Sequence, residues 1–153
     1  MAELLNEFAR LTTEFDRRQV PYAVCGGWAL TIHGFPRATI DIDVMVTPDD
    51  LDQAWRVAED LGYNIVGRPL EFRQGGIQIR RISKVDPETE ALITVDFLLV
   101  TEATQQIWQT RQTLDWERGG KISVVSREGL IQLKRLSGRG QDLVDIERLE
   151  NER

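Results

Sequence analysis

The stretch "GGWALTIHGFPRATIDIDVMV", Gly26 to Val46, decides how the chain is read. Its second half alternates. Ile40, Ile42, Val44 and Val46 face one way, and Asp41 and Asp43 face the other, as on a β-strand with one apolar side. Carboxylates at i and i+2 of a strand lie on the same face and repel each other. Solvent on the wet face of an edge strand is one way to relieve that repulsion, and a bound cation is another. Hard cations such as magnesium take oxygen ligands and often complete their shell with phosphate oxygens. In two-metal sites the ions sit roughly 3.5–4 Å apart and clamp both oxygens of an in-line phosphoryl displacement.

Three features favour the cation. Gly26 and Gly27 follow the short strand "YAVC" and open a short helix, "WALTIHG". Bare backbone there lets amides approach a phosphate, although a glycine pair also serves as a plain turn. Asp96 interrupts the apolar run "ITVDFLL", where Ile93, Val95, Phe97 and Leu99 alternate against it, and a lone carboxylate in so apolar a strand needs a reason. Arg37 and Thr39 precede the aspartate pair, within reach of polyphosphate oxygens.

The rest of the chain sets bounds. Its 153 residues suit one domain over residues 1–153, with a core module at about 20–125 and a C-terminal helical segment at about 126–153. Leu4, Phe8, Leu11 and Phe15 mark a first helix, from about Glu3 to Arg18, which Pro21 follows. Thr47, Pro48, Asp49 and Asp50 start a helix whose buried stripe is Leu51, Ala54, Trp55, Ala58 and Leu61, and Gly62 ends it. Residues 63–76 are weakly patterned. "IQIRRISKV" and "ALITVDFLLV" form a hairpin around "DPETE". A helix from about Glu102 to Gln112 follows, then a smaller hairpin around Gly119 and Gly120. Helices at about Arg127–Ser137 and Gln141–Asn151, joined by "GRG", end the chain. Interleaved strands and helices around four to six strands give an α/β (α+β) class, a mixed twisted sheet flanked by helices.

The net charge of -6 removes a broad basic field for nucleic acid. One histidine and one cysteine exclude a zinc site built on several of either, and Cys25 reads as a buried, inert thiol. No apolar run reaches bilayer length, so the expectation is a cytoplasmic protein with no membrane partner.

Taken together, "GGWALTIHGFPRATIDIDVMV" resembles the signature of the polymerase-beta-like nucleotidyltransferase superfamily. There a Gly-Gly or Gly-Ser turn precedes a D-x-D strand, with a third carboxylate on a later strand. Thirteen residues separate Gly27 from Asp41, and Asp96 matches the third carboxylate. The "HG", "R-x-T" and "DID" form is similar to AbiEii-type and other minimal nucleotidyltransferases. "LIQLKRLSGRGQDLVDIERL" is similar to that group's C-terminal motif through Lys134, Arg139, Asp142 and Asp145. Gly27 stands where many transferases have serine, which removes one hydroxyl contact to phosphate.

The resemblance implies a division of labour. Asp41, Asp43 and Asp96 would be the catalytic carboxylates and the ligands of Mg2+, with Mn2+ as an alternative. Gly26, Gly27, Arg37, Thr39, Lys134 and Arg139 would bind the nucleoside triphosphate. The acceptor would be a tRNA end or a protein side chain if the chain is a toxin with a cognate antitoxin, or a small molecule if it modifies an aminoglycoside or lincosamide. A non-catalytic binding module is the reading from another class, and the three retained carboxylates argue against it. Several residues stay open between two roles. His33 either supports the site or caps its turn, and Trp28 either stacks on a base or packs. Lys134 either meets phosphate or solvent. Asp142 and Asp145 either orient the basic residues or simply start a helix. Arg80 and Arg81 point to opposite faces, so one of them can reach the cleft with Asp96 and the other is expected at the surface.

Nucleoside triphosphate binding is predicted to require a divalent cation, because three clustered carboxylates repel a triphosphate until metal screens them. Titration calorimetry with magnesium and with chelator checks this. Equal affinity in both would mean that the carboxylates do not hold the triphosphate's metal.

Overall fold

A computed structural model describes residues 2–35, 41–116, 120–137 and 140–151, with the side chains of residues 4–35, 41–116, 120–137 and 146–151. The chain runs α1 (Ala2–Arg17), β1 (Ala23–Cys25), α2 (Gly26–Ile32), β2 (Asp41–Val46), α3 (Leu51–Asp60), β3 (Ile65–Val66) and β4 (Leu70–Phe72). It continues with β5 (Ile77–Val85), β6 (Leu92–Leu99), α4 (Gln105–Gln109), β7 (Gln112–Trp116), β8 (Gly120–Val124), α5 (Arg127–Ser137) and α6 (Gly140–Asn151).

The strands form one mixed sheet in the order β3-β5-β6-β2-β1-β8-β7, with β4 also paired to β5. Two pairs are parallel, β2 with β6 and β1 with β8, while the hairpins β5–β6 and β7–β8 are antiparallel. Among the described residues the sheet has eight strands, not the four to six expected. The surplus lies in residues 63–76, where β3 has two residues and β4 three, too few for alternation to show. Helix α4 is also shorter than the expected span. Thr101 and Thr104 close a capping box around the 3-10 turn at Glu102–Thr104. From Gln112, pairing with Val124 draws the chain into β7.

Alternation divides the sheet into two faces. On one face Ile42, Val44, Val95, Phe97 and Ile82 are completely buried. They lie under α1 and α3, where Phe15 and Trp55 both pack their rings on Phe97, at 6.3 and 6.1 Å between centroids. On α1, Phe8, Leu11 and Phe15 are wholly buried, as their helical spacing requires. Trp28 of α2 stacks on Phe8 at 4.4 Å, so this tryptophan is a packing residue. Thr47 starts the next helical segment as expected: its hydroxyl accepts from the Asp50 amide at 3.3 Å. Among the described residues, no helix is long and apolar enough to cross a membrane.

A polar clamp ties α1 to the sheet. The Glu7 carboxylate accepts from the Tyr63 hydroxyl at 2.9 Å and pairs with Lys84 Nζ at 2.8 Å. Lys84 also donates to the Leu61 carbonyl at 2.8 Å and lies over the Tyr63 ring. Both charged side chains are about seven-eighths buried, at 12% and 13% exposure, so each depends on the other. Glu7→Ala is expected to cost about 3 kcal/mol, because it leaves the Lys84 charge buried without its partner. Urea denaturation checks this. The double variant Glu7→Leu/Lys84→Met should recover most of the loss. An equal loss in both variants would place the stability in the Tyr63 bond instead.

Candidate active site

The opposite face of the sheet carries the aspartates. In the parallel pair of β2 and β6, Asp43 stands beside Asp96 and Asp41 beside Thr94. Adjacent strands are about 4.8 Å apart, so the three carboxylates share one patch of sheet. Asp41 and Asp43 are half-buried, and Asp96 is almost fully buried. Burial pushes the Asp41 carboxyl above its ordinary pKa. The negative charge of Asp96 adds to the shift, and the Arg81 cation opposes it.

Arg81 reaches this patch from β5, where it is the register partner of Asp96. Its Nε donates to Asp96 Oδ1 at 2.7 Å and its Nη2 to Oδ2 at 2.9 Å, a two-pronged fork. The alternation of "RR" put the two arginines on opposite faces, and Arg81 is the one beside Asp96. Arg80 lies on the other face and donates to the Ile79 carbonyl at 3.3 Å. Beyond Arg81 and Asp96 on the carboxylate face, the Ser83 and Thr94 hydroxyls meet at 2.8 Å. After them come Val85 and Leu92, both more than half exposed.

Gly26 shapes the edge of the patch. Its φ is +64°, and a Cβ built on it would lie 2.0 Å from Asp43 Oδ2. The position therefore needs glycine twice, for its backbone angle and for the space that Asp43 fills. The second requirement left no signal in the sequence, which suggested backbone amides open to phosphate or a plain turn. Gly27 is buried, and its carbonyl accepts from the Thr31 hydroxyl at 3.2 Å.

Lys134 differs from a solvent lysine. It is 6% exposed, on the side of α5 that also buries Leu130 and Leu133. Cys25, the register partner of Asp43, feels the charges of Asp43, Lys134 and Asp96 together. The lysine charge thus acts on Cys25, the residue of β1 paired with Asp43. Burial pushes the Cys25 thiol up, so it stays an inert thiol. His33 is engaged with the backbone: its Nε2 donates to the Val125 carbonyl at 2.8 Å and pins the end of α2 beside β8. Arg37, Thr39 and Arg139 lie outside the described residues. Asp142 and Asp145 fall on α6, but their side chains are outside the described set.

Asp41, Asp43 and Asp96 form an all-oxygen donor set, which suits a hard cation such as Mg2+ or Mn2+. Asp41 and Asp43 are the more open members. Among the described residues, no three carboxylate, histidine or cysteine side chains stand close enough to enclose an ion as they are. Asp96 has both oxygens on Arg81.

No family model matches the chain, and no curated protein sequence does. Solved structures do. TM1012 of Thermotoga maritima, a nucleotidyltransferase by assignment, superposes with a TM-score of 0.65 at 15% identity, over 99% of this chain and 95% of its own. ANT(2'')-Ia, solved in complex with adenylyl-2''-tobramycin, gives 0.63 at 16% identity, over 97% and 87%. JHP933 of Helicobacter pylori gives 0.54 at 14% identity, over 99% and 68%. At these identities the likeness shows the fold, which is that of the nucleotidyltransferases.

Gly26→Ala is expected to cost about 1–2 kcal/mol and to push the Asp43 carboxylate out of place. Adding Asp43→Gly should return the part of the loss that comes from the clash and leave the part due to φ. Thermal unfolding of the two variants and of Asp43→Gly alone checks this. Simple additivity would show that the two residues do not collide.

Proposed function

We propose that this chain, which has the fold of the nucleotidyltransferases, moves a nucleoside monophosphate from a nucleoside triphosphate onto a hydroxyl group, with Mg2+ as its cofactor. The observation that carries the reading is the Asp43–Asp96 register. It gathers three aspartates on one sheet face, beside a glycine turn packed against Asp43.

Asp41 and Asp43 would hold the metal, with Asp96 on the acceptor side. The bound metal would supply charge neutralisation for the triphosphate and the leaving pyrophosphate. The residues of this chain align the reactants. Asp96 accepts the hydrogen bond of the attacking hydroxyl and turns its oxygen towards the α-phosphorus. The new bond joins that oxygen to phosphorus, the bond to the α–β bridging oxygen breaks so that pyrophosphate leaves, and the hydroxyl proton passes to Asp96. Lys134 would attract the phosphates with its positive charge, and Gly26 would leave room for Asp43 beside them. Alignment and electrostatic stabilisation suffice for this chemistry, so His33 need not take part as a base.

The acceptor we favour is a small molecule that carries a hydroxyl. The net charge of -6 opposes a long RNA backbone, and the structurally similar ANT(2'')-Ia holds adenylyl-2''-tobramycin. The AbiEii-type likeness of the sequence motifs supplies the other acceptors to be tried, a tRNA end or a protein, and with them a cognate antitoxin.

Asp41→Asn and Asp43→Asn should each reduce transfer by roughly 100-fold or more and still fold. Asp41→Asn should also hold or raise the stability of the metal-free protein. The fold raises the Asp41 pKa, so it disfavours the ionised carboxylate that asparagine replaces. Labelled nucleoside triphosphates offered with aminated sugars, total RNA and protein follow the transfer. Label on RNA or protein alone would shift the acceptor to the toxin reading. No transfer by the wild type, with triphosphate bound equally well by both variants, would favour a binding module.

A further inference from the structure

We propose that Arg81 is the resident counter-ion of all three carboxylates and the positioning residue that fixes the plane of Asp96. The identity of the competing cation rests on the nucleotidyltransferase reading. The role of Arg81 in the metal-free protein does not.

Several observations set this arginine apart from a surface ion pair. Both of its bonds go to a carboxylate that is only 6% exposed, while its own side chain is 42% exposed and stands at the open side of the patch. Its charge is felt at Asp41, and the charges of Asp41 and Asp43 are felt at Arg81. Its stem is held as well. The Gly67 amide donates to the Arg81 carbonyl at 2.9 Å, and a Cβ on Gly67 would crowd Arg81 Cβ at 3.2 Å. A side chain at position 67 would press on the arginine stem, whereas one at position 26 would collide with Asp43.

The geometry gives Arg81 two separable effects. One is charge: with Arg81 the three aspartates carry a formal net charge of two negatives, and without it three. A divalent cation entering the patch is therefore drawn less strongly while Arg81 is present. The other effect is direction. A fork uses one lone pair on each carboxylate oxygen and leaves the other free. Arg81 can stay in place while Asp96 turns its remaining lone pairs to a ligand, and it holds the carboxylate from rotating.

The test uses the full chain and reads the melting temperature in chelator and the affinity for Mn2+ alone, both without nucleotide, and then the transfer kinetics with nucleoside triphosphate. Arg81→Gln should lower the metal-free melting temperature. Adding Asp41→Asn or Asp43→Asn should recover part of that loss, because each removes a repelling charge. An ion pair confined to Arg81 and Asp96 would be rescued by Asp96→Asn only. Arg81→Gln should also bind Mn2+ roughly 10-fold more tightly. Arg81→Lys keeps the charge and loses the fork. It should bind Mn2+ like the wild type, and its kcat should fall while KM for the triphosphate holds. It also keeps the test open if Arg81→Gln does not fold. Rescue by Asp96→Asn alone, with Mn2+ affinity unchanged in Arg81→Gln, overturns the proposal and leaves the metal site standing. The rescue pattern without any Mn2+ binding supports the counter-ion and removes the metal from the function. A kcat unchanged in Arg81→Lys overturns the positioning role.

Discussion

The parallel pairing of β2 with β6 is the constraint from which both faces of the molecule follow. It sets Asp43 beside Asp96 on one side and Val44 beside Phe97 on the other. A slip of one residue would turn Asp96 towards the rings of Phe15 and Trp55 and bring Phe97 out among the aspartates. The apolar layer under α1 and α3 and the carboxylate patch are thus fixed by the same register. Burying an unpaired carboxylate among aromatic rings is far costlier than losing one apolar contact, so the charged residue enforces the register as firmly as the core does.

Holding the carboxylates together has an electrostatic cost, and the surrounding residues offset it. Arg81 neutralises the most buried of the three and Lys134 lies nearby beneath α5, while Asp41 keeps the raised pKa of a group whose charge is poorly accommodated. Gly26 stands where bulk is excluded, against Asp43. An edge strand with merely solvated aspartates would need none of these arrangements.

Much of this was legible in the sequence because it follows a period. The helical spacing of Leu4, Phe8, Leu11 and Phe15, the alternation around Asp41 and Asp96, and the two hairpins all appear where the pattern put them. What stayed hidden has no period. β3 and β4 are too short to alternate, and the helix after Thr101 is cut off by long-range strand pairing. Lys134 looked as apt to meet solvent as phosphate, because a helix stripe does not say how deep its lysine lies. His33 has a backbone partner ninety-two residues away, which no local pattern announces. Gly26 was read for its amides, whereas the structure adds the room it leaves for Asp43. Choosing between Arg80 and Arg81 needed only the register of β5 on β6, which the sequence implied and the fold supplied.

The two kinds of strand pairing also differ in when they can form. The hairpins β5–β6 and β7–β8 pair strands that are near neighbours in the chain, and such local contacts form quickly. The parallel pairs β2–β6 and β1–β8 join distant parts of the chain and carry a larger loop-closure cost. Arg81 and Asp96 lie within one hairpin and can find each other early. Asp41 and Asp43 join them only when β2 is inserted. The negative charge is therefore concentrated only where β2 has joined β6. Any reactivity that depends on that charge is confined to the completed fold.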